Sequence, residues 1–130
     1  MLESGGLLVD ESRLAYPGDL LHEAGHIAVA PADARGAMSG SVDVPGIDTA
    51  TLEWAAIPWS YAAALAIGID PALVFHGGGY GGHSPGLLTN FRVGVPIGVH
   101  LLEEAGMSFG GKRAAELGVE PFPHMLRWLR

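Results

Sequence analysis

The sequence predicts a compact α+β domain, dominated by helix and carrying a small β-sheet, and three observations point there. Its 130 residues suit one domain spanning 1–130, with no room for a second core of ordinary size. Hydrophobic residues make up 48% of the chain and charged residues only 16%, which is enough for that core and too apolar for a disordered chain. Helix-like segments with start and stop signals recur along the chain, whereas strand-like runs are confined to the residues before Pro17 and to one later loop.

Two short strands are expected at Leu7–Val9 and Arg13–Tyr16, around the polar turn Asp10-Glu11-Ser12, and Pro17-Gly18 then breaks the strand. Asp19 is placed to N-cap a helix from Leu20 to about Ala30, which Pro31 ends. Residues 31–48 are rich in Gly, Ser, Asp and Pro and read as a long loop with room for one strand at Ser41–Val44. Thr49 or Thr51 caps a second helix running to Ile67, with Pro58 kinking or restarting it. From Phe75 to Gly86 the density of glycine nearly excludes regular structure, so this stretch reads as a loop. A helix from Pro96 to Ala105 ends at Gly106, and the tail holds two short helices, Lys112–Leu117 and Phe122–Leu129. The apolar spacing in that last segment suits core packing or a dimer contact, so a homo-oligomer is one expectation.

Composition also limits function. Seven basic against fourteen acidic residues give a net charge of -7, which leaves no cationic surface for nucleic acid or for an anionic membrane. With no cysteine, disulfides, thiolate catalysis and Cys-ligated metal sites are excluded. The start Met1-Leu2-Glu3 carries an acid where a signal peptide needs bases, and the uncharged run from Trp54 to Ile69 falls short of the ~20 residues of a bilayer span. A cytoplasmic location is expected.

The segment richest in chemistry is His22-Glu23-Ala24-Gly25-His26, an H-E-x-x-H pattern inside the first helix. Positions i and i+4 differ by about 40° of rotation, so both imidazoles project from one face and can grip one ion. Neutral imidazole suits Zn²⁺, and Glu23, one step around the helix, is placed as the general base toward a metal-held water. A catalytic zinc needs a third protein ligand. Glu53 is the choice, 27 residues after His26 at the head of a strongly apolar helix, where Ala55 and Ala56 let two helices approach. The alternatives are Glu103 or Glu104 beside His100, then Asp43, Asp48 and His76.

The string from Leu21 to Ala30 resembles the active-site helix of zincin metallopeptidases, and its H-E-A-G-H core is typical of FtsH-type proteases. A P-loop is absent, so ATP-driven proteolysis is not implied. The layout is more similar to small gluzincins such as the ImmA/IrrE type, in which two helix histidines and a later helical Glu hold zinc. Pro58 departs from that pattern.

A second apparent motif is rejected. His76-Gly77-Gly78-Gly79 copies an esterase oxyanion loop and Gly82-His83-Ser84-Pro85-Gly86 copies G-x-S-x-G. In a serine hydrolase of that type the two lie far apart in the chain, and Pro85 removes an N–H the oxyanion hole requires. The loop instead offers His76, Tyr80 and His83 as residues lining a substrate cleft. The expected function is zinc-dependent hydrolysis of a peptide or amide bond, with a peptide or protein as substrate. The alternative is a zinc-stabilised or metal-free interaction domain without turnover.

Overall fold

The computed structural model describes residues 2–38, 46–79 and 82–130. Helix dominates it: α1 (Asp19–Val29), α2 (Thr49–Ile67), α3 (Ser84–Arg92), α4 (Val99–Glu104) and α5 (Gly111–Leu117), with 3-10 turns at Glu11–Arg13, Arg35–Ala37 and Pro71–Leu73. Among the described residues the sheet is reduced to one two-residue ladder, β1 (Leu2–Glu3) antiparallel to β2 (Gly6–Leu7). Neither strand expected at Leu7–Val9 or Arg13–Tyr16 forms as such. Local polar chemistry takes over there, because the Asp10 carboxylate accepts from the Ser12 amide at 3.1 Å and from its hydroxyl at 2.5 Å, closing a 3-10 turn. The strand expected at Ser41–Val44 lies outside the described residues.

Helix α2 runs unbroken through Pro58, which neither ends nor restarts it. Proline has no N–H, so the Trp54 carbonyl one turn earlier loses its helical donor. Gly98, at the entry to α4, packs against that carbonyl so closely that a Cβ would overlap the Trp54 oxygen, and its φ of +72° is one that glycine adopts without penalty. At the N-terminus of α2 the Asp48 carboxylate accepts from the Ala50 amide at 3.3 Å.

Helices α1 and α2 pack antiparallel, and small residues make that possible. Buried Gly18, which caps α1 in place of Asp19, abuts Leu73 just beyond α2, while Gly25 faces Ala56 and Trp59 in its middle. Ala28, Val29, Leu52, Ala55, Ala56, Trp59, Leu102 and Met107 form the main core between α1, α2 and α4. A second cluster holds Ile57, Val74, Phe75, Leu88 and Phe91, with Tyr61 stacked on Phe91 at 4.6 Å. Leu21 and Phe122 touch both clusters and join them.

Two further segments differ from expectation. The loop expected to reach Gly86 gives way at Ser84 to α3, because Pro85 suits a helix's first turn and Leu88 and Phe91 have an apolar face to bury. The helix expected over Phe122–Leu129 does not form. Pro121 and Pro123 withhold two amides, and the tail finds acceptors on other elements instead: Leu126 N–H donates to Met107 at 2.9 Å and Arg130 N–H to Ala28 at 2.9 Å. Trp59 Nε1 closes the contact by donating to the Trp128 carbonyl at 2.9 Å. Among the described residues no helix is long and apolar enough to cross a membrane.

Candidate metal centre

Helix α1 carries Asp19, His22, Glu23 and His26 at positions i, i+3, i+4 and i+7, a spacing that lines four titratable side chains along one stripe. Of the stripe, His22 and His26 face the N-terminal half of α2, whose Glu53 leans across the interface. Glu53 Oε1 lies 3.1 Å from His22 Nε2, Oε2 lies 3.2 Å from His26 Nε2, and the two imidazole nitrogens are 3.0 Å apart.

These distances bear directly on metal binding. Four ligands at zinc's bond length of roughly 2.0–2.1 Å in a tetrahedron stand about 3.3 Å from one another. The two imidazole nitrogens are 3.0 Å apart and each has its own oxygen of the Glu53 carboxylate at 3.1–3.2 Å, within a few tenths of an ångström of such an edge. The donor chemistry fits as well, since imidazole and carboxylate are common zinc ligands. A carboxylate oxygen of Glu23 and one ring nitrogen each of His22 and His26 lie within 4.8 Å of one another, so Glu23 is itself a candidate ligand beside Glu53.

Burial is graded across the centre. The His26 side chain is 3% exposed, His22 18% and Glu53 37%, so the site opens toward solvent on the His22 and Glu53 side. Burial, with the neighbouring His22 imidazole, holds His26 below the ordinary histidine range. The hydrogen bond from His22 holds the Glu53 carboxyl below its ordinary range, against the opposing effect of its own partial burial. Near neutral pH the centre thus presents a neutral imidazole and an ionised carboxylate, the forms that bind a divalent cation. His26 Nδ1 is buried with no hydrogen-bond partner among the described residues.

The other residues singled out in the sequence are placed elsewhere or committed to other bonds. Glu103 accepts from the Gly110 amide at 2.7 Å, which ties α4 to the start of α5. Glu104 and His100 are exposed on α4, and Asp48 caps α2. His83 is exposed at the N-terminus of α3. Asp43 and Tyr80 lie outside the described residues. His76 reaches α1, where its Nε2 is 2.5 Å from Asp19 Oδ1 and its ring lies flat on Tyr16, centroids 3.8 Å apart.

Asp19 and Tyr16 were not legible as site residues from motif alone, although the i, i+3, i+4, i+7 spacing is a signal that extends the H-E-x-x-H stripe by one turn. Ser84 of the rejected esterase motif also approaches this region. Its Oγ and His76 Cε1 both lie within 3.6 Å of where a Gly79 Cβ would sit. Ser84 is nevertheless fully buried, and His76 Nδ1 already accepts from the Gly78 amide at 3.1 Å, so the hydroxyl has neither access nor a free base. No protein-family profile, no curated protein and no solved structure matches the chain.

Proposed function

We propose that this chain is a zinc-dependent hydrolase of peptide or amide bonds, with a peptide or protein as substrate. The observation that carries the proposal is the convergence of Glu53 with His22 and His26 at 3.0–3.2 Å, from two helices, beside a second carboxylate on Glu23. A bound zinc ion would supply Lewis-acid polarisation of the scissile carbonyl and would acidify a neighbouring water. His22, His26 and Glu53 would hold the ion. Glu23 receives the proton of the attacking water at a carboxylate oxygen and passes it to the departing amine nitrogen as the C–N bond breaks. A structural site closed by four protein ligands would use Glu23 as the fourth, whereas a catalytic site leaves that position open to water and uses Glu23 as the base.

Glu23→Gln separates the two readings, because the amide is nearly isosteric and cannot accept the proton. The variant is expected to keep the zinc content and thermal midpoint of the parent while cleavage of a peptide library falls by the roughly 10²–10⁴-fold typical of losing a general base. A zinc-loaded parent that cleaves nothing, or a variant as active as the parent, would favour the interaction domain instead.

A further inference from the structure

Asp19 opens the stripe on α1 that continues through the ligand histidines and Glu23. Its Oδ1 accepts from His76 Nε2 at 2.5 Å, while the Gly78 amide donates to His76 Nδ1 at 3.1 Å. Both ring nitrogens are thereby occupied, the proton sits on Nε2, and the ring has no donor left for a substrate. The imidazole is also covered on one side by Tyr16, parallel to within 8°, which leaves the His76 side chain only 12% exposed. Beneath Tyr16 runs the chain at Gly78, where a Cβ would come within 3.2 Å of the phenol ring and hydroxyl. At Gly79 a Cβ would meet the buried Ser84 hydroxyl at 3.5 Å. Gly78 and Gly79 thus lie against the side chains of Tyr16, His76 and Ser84, while Gly77 stands in open space.

Resting on the hydrolase reading above, we infer that Asp19 and His76 are a positioning pair for that reaction. The carboxylate holds the imidazole, and the imidazole holds the glycine turn as a fixed wall that is anchored to α1 at Asp19, one helical turn before Glu23. Three successive residues without side chains let an extended peptide backbone approach the wall closely. His76 acts through this turn and not by touching the reacting atoms.

Two measurements test the pair, the first needing neither metal nor activity. Nitrogen NMR of the labelled imidazole is expected to show the Nε2-protonated tautomer of His76, and Asp19→Ala or His76→Phe to speed amide exchange at Gly78 and Gly79 by about tenfold or more. His76→Phe keeps the stack on Tyr16 and removes both hydrogen bonds, whereas His76→Gln retains a donor and an acceptor and recovers most of the protection. The Nδ1-protonated tautomer, or unchanged exchange, would overturn the pair.

The second measurement uses zinc-loaded protein and two probes, acetohydroxamate and a tripeptide hydroxamate. In Asp19→Ala and His76→Phe the tripeptide probe is expected to bind about tenfold or more weakly, with acetohydroxamate affinity and zinc content unchanged. If both probes weaken together, the pair acts on the metal ligands and the wall is wrong; if neither weakens, the turn does not meet the substrate. A parent that takes up no zinc overturns the hydrolase reading and the wall with it, while the NMR result still decides whether the pair holds the turn.

Discussion

Gly25 faces Ala56 so closely that a methyl group on Gly25 would come within 3.2 Å of the Ala56 carbonyl oxygen, and equally close to the Trp59 ring. This contact sets the spacing between α1 and α2, and the same spacing brings Glu53 to His22 and His26. Gly25→Ala is therefore expected to cost about 1–3 kcal/mol, the usual range for overpacking, and to weaken zinc binding along with stability. Gly86→Ala on α3 is the control, since nothing lies within 4 Å of its Cβ position; there the thermal midpoint should hold or rise. Equal effects in calorimetric melts of the two variants would show that the helix spacing does not govern the site.

Zinc stoichiometry is the most direct check on the centre. Protein prepared without a histidine tag should hold about one equivalent by elemental analysis, as a single two-His, one-Glu site requires. The double variant His22→Ala/His26→Ala should hold none, whereas His124→Ala, exposed in the tail, should match the parent. Loss of metal in His124→Ala would move the site elsewhere.

Glu53, the proposed third ligand, is separable from the other acids. Glu53→Ala is expected to lower zinc affinity by about 10–100-fold or more in a chelator competition assay. Glu103→Ala should leave the affinity unchanged while lowering the melting temperature, because Glu103 is spent on the Gly110 amide. Glu104→Ala, exposed on α4, should change neither. Metal loss in Glu104→Ala would assign the ligand to α4.

Acid should destabilise the metal-free protein in two steps. His26 titrates below its ordinary value of 6.5 when folded, so as pH falls through that value the unfolded chain takes up the proton first and stability drops. Glu53 titrates below its ordinary 4.5, so its contribution is present above that pH and is lost as pH falls further. Melting curves from about pH 8 to about pH 2 should show both losses, and His26→Gln should lack the first. A midpoint that rises on acidification between pH 7 and pH 5 contradicts the assignment.

The legible parts of this protein were those encoded locally. H-E-x-x-H on an apolar helix, and a lone acid heading the next apolar helix, can be read from spacing because an α-helix converts spacing into direction. Asp19 stands where an N-cap is expected, an acid before an apolar run, and that local signal masks its bond to His76 across 57 residues. Tyr16 on His76 is a tertiary contact with no trace in either local sequence. The density of glycine hid the start of α3, where Pro85 was the better guide. In the tail, apolar spacing alone suggested a helix, but it does not say where the amides will find acceptors; Met107 and Ala28 supply them.

Helix α1 is held at both ends. At its beginning Gly18 is wedged against Leu73, and at its end the Ile27 and Ala28 carbonyls accept from the Arg35 guanidinium at 3.0 and 3.4 Å, with the Arg130 amide also on Ala28. A short helix of eleven residues frays readily in isolation, and each imidazole on it would then have to be ordered when an ion arrives. Here the entropy of ordering His22 and His26 is lost during folding instead, together with the core. On the proposed function, an ion would meet donors already in register, and letting it go would win the helix no freedom in return.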